Sequence, residues 1–295
     1  MTPIHIRVLR HSAFYSPLLL TIAAGYLADE GLDPHFDIAT EENTVEQGLN
    51  SSQVQVAQSA LATRFAGLAK AESSSIRHFA QINQRDGFFI TAREPVASFR
   101  WQDLLDGSVL VDHFFQPLAM FRYALFKQDI DYKELKVLDA GDVQAIDAAY
   151  RGGQGAYAHQ QGPFAQQLEV DGLGAVVAAV GPVVGPVAFS SLCATQSWLG
   201  TDMAGAFFRA YRRGREAAMS LEAAEIARLE SSFFPNIDPT VLSATIKSYQ
   251  QLGCWEGEPS ISEDVYEKTL DVFEFSGDIK TRFAYDDIVS PPPVI

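Results

Sequence analysis

The chain has 295 residues, 47% hydrophobic and 20% charged, with 20 Phe and 10 Tyr. That composition can bury a sizeable core in one large domain or two ordinary lobes, and it is not that of a disordered chain. A formal net charge of -15 speaks against nucleic acid or an anionic membrane surface as a partner, because both need a basic face.

A small anionic ligand stays open, since helix N-termini can hold one locally. No apolar run reaches the roughly 18 residues of a membrane span, so no membrane insertion is expected. The opening "MTPIHIRVLR" lacks the apolar core and cleavage site of a signal peptide. As written the chain reads as cytoplasmic, or as periplasmic if a leader has been removed. The two cysteines, Cys193 and Cys254, fall in no CxxC or zinc-type spacing. No metal and no cofactor is expected.

Residues 4–9 (IHIRVL) alternate as a strand does. A helix is expected from about Pro17, an early proline being tolerated there, to Glu30, with Gly31 as its stop. A second strand follows at 34–39 and a short helix at 41–49. "VQVAQSA", 54–60, reads as a strand feeding the helix of "SALATRFAGLAK". Further strands are expected at 76–82, 87–92 and 108–112, then a helix at 117–128, a strand at 135–139 and a helix at 142–151. "GAYAHQQGPFAQQLEVDG" reads as strand, turn and helix.

In the last third, Ala204, Phe207, Phe208 and Tyr211 have the spacing of an amphipathic helix. Asp238-Pro239 caps another. The tail "SPPPVI" reads as an extended arm. Alternating strands and helices make the class α/β with largely parallel sheets.

Two stretches look like passages between lobes: "TAREPVASFRW", where Pro95 breaks a strand, and "VGPVVGPVAFSS", with two Gly-Pro steps. They imply a discontinuous first lobe, 1–93 with 187–295, and a second lobe, 94–186, inserted into it. The C-terminal helices would pack on the first.

Ligands of open parallel sheets collect beyond the strand carboxyl ends, where helix-start N–H groups are unpaired. Four junctions here carry polar or aromatic groups. They are "RHSAFYSP" (His11, Ser12, Phe14, Tyr15), "AQSALA" (Gln58, Ser59, Ala60), "VDHFFQP" (Asp112, His113, Phe114, Phe115, Gln116) and "AHQQGPFA" (His159, Gln160, Pro163). The first pair would form one wall of a cleft and the second pair the other. Arg85, at a strand end in "NQRDGF", is either a ligand contact or the partner of Asp86 or another carboxylate.

Each has a plainer reading. His11 is then a loop residue, Ser59 an N-cap, and one of Phe114 and Phe115 core. Cys193 reads as a buried apolar residue. The arginines of "RAYRRGR" read as a solvated helix face.

The stretches "PLLLTIAAGYLADEGLDPHF", "VQVAQSALATRFAGLAKAES", "AQINQRDGFFITAREP" and "FPNIDPTVLSATIKSYQQLGCWEGEPSISEDVYEKTLDVF" resemble, in order and spacing, the periplasmic substrate-binding proteins for nitrate, sulfonate and thiamine-precursor uptake. That family includes the fungal thiamine-pyrimidine synthases. The resemblance covers almost the whole chain. It implies a two-lobed type II periplasmic-binding-protein fold, a small-molecule ligand in the cleft and an ABC-type permease as partner.

There are departures. "LNSSQVQVAQSA" lacks the Asp that many members carry, and the cysteine-rich iron motif of the fungal enzymes is absent. A related desulfinase on this fold uses a cysteine nucleophile, but no cysteine stands at the early cleft positions. Two classes are therefore carried forward. One is a binding protein that closes over a flat or anionic organic molecule, such as a pyrimidine, a sulfonate or an aromatic acid. The other is a cytoplasmic enzyme on the same fold, synthase-like or desulfinase-like, using His11, His113 or His159 as acid–base groups.

Overall fold

A computed structural model describes residues 1–294. Among these described residues ten strands form two five-stranded sheets. The first holds β1 (Thr2–Val8), β2 (Leu32–Ile38), β3 (Val56–Ser59), β4 (Ile76–Asn83) and β10 (Ser190–Thr195), in the order β2-β1-β3-β10-β4. The second holds β5 (Phe88–Ala92), β6 (Ser108–Val111), β7 (Lys136–Leu138), β8 (Tyr157–Gln161) and β9 (Ala175–Ala179), in the order β7-β6-β8-β5-β9.

The alternation in β1 has the expected cause. Ile4, Ile6 and Val8 are buried, Pro3 and His5 are exposed, and successive side chains of a strand point to opposite faces. Arg7 breaks the pattern because its guanidinium grips Asp37 on β2 through two bonds of 2.7 Å, a bidentate pair.

β1 runs parallel to β2 and β3, and β6 parallel to β7 and β8. Each sheet has one antiparallel strand, β10 in the first and β5 in the second. These are the strands that follow the two passages between sheets.

The first passage differs from expectation. β5 pairs with β8 and β9, so the chain leaves the first sheet at 84–87, not near 91–96. Pro95 lies beyond the end of β5 at Ala92, where the chain is already in the second lobe. Within the passage Gly87 lies where an added Cβ would come within 2.4 Å of the Phe14 ring, so no larger side chain fits there. The return at 180–189 runs through both Gly-Pro steps and is bonded to the outward passage, Val187 N donating to Gln84 O (2.8 Å).

Two local readings also change. The helix expected from Pro17 to Glu30 is broken into Ser16–Ala23 and Tyr26–Asp29. Gly25 at φ 77° takes a left-handed conformation that glycine adopts freely. β9 carried no alternation and was not expected; it is a short apolar run beside an apolar strand.

The helix Asp202–Ser220 packs on Ser16–Ala23. Its Arg215 is 2% exposed and donates to Gln81 O (3.0 Å) and Ile82 O (2.9 Å), holding the end of β4. The late helices do not serve the first lobe alone. Pro239–Gln251 meets Phe164–Val170, and Glu263–Ser276 meets Phe115–Phe126, so both also touch the second.

The contact between Ser16–Ala23 and Asp202–Ser220 depends on Gly214, where an added Cβ would lie 2.7 Å from Pro17 O and 2.9 Å from Thr21 N. Backbone cannot move aside cheaply, so Gly214→Ala should cost roughly 1–3 kcal/mol of stability in urea unfolding. A variant as stable as the parent would show that the two helices can separate freely.

Candidate functional site

The carboxyl ends of β1, β6 and β8 meet where the lobes touch. Arg10, just past β1, places Nη2 2.9 Å from Asp112 Oδ2, just past β6. The Asp112 side chain is 2% exposed and that of Arg10 22%. The other Asp112 oxygen accepts from Phe114 N (2.9 Å), so both of its oxygens are engaged. Arg10 also lies over the Phe114 ring, 5.0 Å from its centre, within cation–π range.

Beside this pair Ser12 Oγ donates to Gly162 O (2.9 Å), and Gly162 N donates to the Tyr249 hydroxyl (2.9 Å). Gln116 Nε2 donates to Phe189 O in the return passage (2.6 Å). Tyr15 is 3% exposed. Its hydroxyl meets Ser190 and Gln161, and burial pushes its pKa up against the opposing pull of Arg10.

Several expected site residues do something else. His11 does not line the seam: Nε2 contacts Phe233 O (2.8 Å) and the ring stacks on Phe234 at 4.6 Å. Phe14 is fully buried among Tyr15, Phe189 and Tyr249, so it is core and offers no ligand face. His113 is exposed and pairs with Asp139 (2.6 Å). Phe115 faces Phe273 at 5.1 Å, while its neighbour Phe114 holds Arg10.

Gln58 Oε1 accepts from Leu9 N (3.0 Å) and so holds the β1 turn. Ser59 is buried and contacts Thr63 Oγ1 (3.2 Å). Ala60 is half-buried and takes the Thr63 hydroxyl on its carbonyl (2.7 Å). Arg85 stands in the outward passage with Nε buried and unpartnered. Its neighbour Asp86 caps Phe88 N (2.6 Å); burial raises the Asp86 pKa to about 7. Pro163 is buried at the start of Phe164–Val170.

His159 and Gln160 are both fully buried. The His159 ring lies between Phe88 (4.8 Å) and Phe121 (4.6 Å). Neither of its nitrogens, and neither amide atom of Gln160, has a hydrogen-bond partner among the described residues.

The seam also uses residues that sequence reasoning passed over: Arg10, Asn83, Gln161, Ser190 and Tyr249. Arg10 stands in the first junction, where nothing local tells it from His11 beside it. Asn83 and Ser190 become neighbours only through sheet pairing, which no local signal carries. The thiols take no part. Burial pushes Cys193 up to about 12 and raises Cys254, leaving both protonated at neutral pH.

Two α/β lobes joined by two passages, with strand ends meeting at the seam, define the periplasmic-binding-protein fold. Within it the chain belongs to the NMT1/THI5-like family, whose model matches residues 13–222. It is 26% identical over 294 residues to a Bacillus subtilis (strain 168) protein named "Putative binding protein YtlA", spanning 98% of this chain and 88% of that one. The periplasmic aliphatic sulphonate binding protein SsuA of Escherichia coli shares the fold at TM-score 0.76 and 11% identity, over 99% of this chain and 93% of its own. The alkanesulfonate-binding protein SsuA of Xanthomonas axonopodis pv. citri, bound to MOPS, does so at TM-score 0.71 and 14% identity, over 99% of each chain.

Burial depresses the His159 pKa from 6.5 to about 4. The unfolded chain therefore takes up this proton first as pH falls. The stability it contributes is complete above about 6.5 and is lost as pH falls through about 4. His159→Phe keeps the aromatic sandwich and removes both the titration and the unpartnered nitrogens. Its stability should equal or exceed the parent's at pH 7, and the advantage should widen at pH 5. An advantage that stays constant with pH would mean that His159 titrates alike in both states.

Proposed function

We propose that the protein is a solute-binding protein whose lobes close over a small flat or anionic organic molecule and deliver it to an ABC-type permease. One observation carries this most: strand ends of both lobes converge on the Arg10–Asp112 pair. Around it stand the Ser12, Tyr15 and Ser190 hydroxyls and the Gln116 and Gln161 amides. When the lobes part, Arg10 loses its partner and can take an anionic group, with Ser12 as a second donor. Phe114 supplies an aromatic face.

The sulfonate-binding relatives and the binding-protein name of the Bacillus relative support the class. The buried, protonated thiols speak for binding over cysteine chemistry of the desulfinase kind.

Calorimetry with an alkanesulfonate, an arylsulfonate and an aminopyrimidine tests it. One should bind saturably, and small-angle scattering should register a more compact particle on binding. Tyr15→Phe should weaken that ligand by about tenfold, the effect of losing one hydrogen bond at a buried site. Ligand consumed by the wild type would transfer the protein to the enzyme class. Binding insensitive to both Tyr15→Phe and Arg10→Gln would move the site away from the seam.

A further inference from the structure

Glu230 is fully buried, yet it is not one of the groups gathered at the seam. It follows the helix Ala223–Leu229 and faces the turn Ala13–Tyr15 and the start of Ser16–Ala23. Among the described residues its carboxyl group has one hydrogen-bond partner, Ser16 Oγ, 2.9 Å from Oε2. The other oxygen, Oε1, is buried without a partner.

Counting protons decides its charge state. Ser16 is fully buried too, and its hydroxyl lies 2.8 Å from Ala13 O. A carbonyl oxygen only accepts, and a serine hydroxyl has one proton. Were Glu230 ionised, that proton would face two acceptors, and a carboxylate would stay buried with at most one donor and no cation. Burial of that kind is very costly. The neutral acid completes a chain instead: Glu230 donates to Ser16, and Ser16 donates to Ala13 O.

The ionisable groups around it leave this unchanged. Ser16–Ala23 carries none. The turn brings Tyr15, whose hydroxyl meets Ser190 and Gln161. Pro239–Gln251, packed on Ala223–Leu229, brings the exposed Lys247 and Tyr249, which is bonded to Gly162 N. On the helix before Glu230, Glu222, Glu225 and Arg228 are exposed. His11 contacts Phe233 O, and burial lowers its pKa. The buried groups of Asp202–Ser220, Tyr211 and Arg215, are turned to Gln81 O. Burial raises the Glu230 pKa well above 4.5.

The chain ends on the turn that carries two seam residues. Tyr15 N donates to Ser12 O (3.1 Å), and Phe14 N to Ser12 Oγ (3.1 Å). Ser12 Oγ in turn reaches Gly162 O.

We propose that Glu230 is a positioning residue of the seam: as a neutral carboxylic acid it donates to Ser16 and, through Ser16 and Ala13 O, fixes the turn that presents Ser12 and Tyr15. That those two groups serve a ligand rests on the function proposed above. The proton and the positioning are tested without a ligand, so their failure is separate from the failure of that function.

The test uses the full chain. In protein labelled with carbon-13 at the glutamate carboxyls, the Glu230 signal, identified by its loss in Glu230→Gln, should lie at the protonated position at pH 7. Unfolding gives a second readout. Above the unfolded value of about 4.5 the folded chain keeps a proton that the unfolded chain has released. The stability this contributes is complete below that value and is lost as pH rises toward the folded pKa. Between pH 5 and pH 7 the folding equilibrium constant of the parent should therefore fall relative to Glu230→Gln by about tenfold per pH unit.

Glu230→Gln keeps a donor for Ser16, so the Ser12 and Gly162 amide resonances should stay at their parental positions. Glu230→Leu and Ser16→Ala cut the chain and should shift both. If Glu230→Leu does not fold, Ser16→Ala still decides. An ionised Glu230 at pH 7, or a stability ratio to Glu230→Gln that is constant with pH, overturns the neutral acid and with it the proposal. A Gly162 resonance unmoved by Ser16→Ala, or moved alike by Glu230→Gln and Glu230→Leu, overturns the positioning role.

Discussion

The arrangement depends on the two passages being tied to each other. Val187 N bonds Gln84 O, and Phe189 N bonds Asn83 O (3.1 Å). Each passage then enters its sheet as the one antiparallel strand. Because β10 starts at Ser190 beside Asn83, and β5 starts at Phe88 opposite Gln161, the passages abut the carboxyl ends of β4 and β8. Parallel strands share one direction, so their other carboxyl ends face the seam too. The convergence of Arg10, Ser12, Asp112 and Gly162 follows from that geometry. The same closeness explains Gly181, where an added Cβ would meet Asp86 O at 2.3 Å.

How much of this was legible in the sequence follows the range of each interaction. Strands with one buried face, such as β1, announce themselves by alternation, and the α/β class follows from their order. The outward passage does not, because it carries no proline and its one glycine is explained only by the Phe14 ring. Pro95 is the louder local signal and misplaced the boundary. Junction chemistry was readable as far as the strand end but not as to direction. His11 and Arg10 are adjacent, yet one turns to Phe234 and the other to Asp112, 102 residues away. Phe14 shows the same limit: an aromatic at a junction fits core and cleft equally until Tyr249 and Phe189 are placed around it.

The balance of forces at the seam bears on how it works. Closure gains the Arg10–Asp112 pair and the Ser12–Gly162 bond. It also sets the Phe126 ring against Phe275, tilted, with ring centres 4.4 Å apart. Against these stand buried atoms without partners, Gln116 Oε1 and Asn83 Oδ1 among them, each costing about 1–3 kcal/mol. The Arg10–Asp112 attraction itself is offset by the desolvation of Asp112. These terms are of similar size and opposite sign. A molecule that supplies donors to such acceptors interacts better with the closed form, and only a differential interaction of that kind can shift the equilibrium. The unmet acceptors near the strand ends are therefore what would let a small ligand decide the position of two whole lobes.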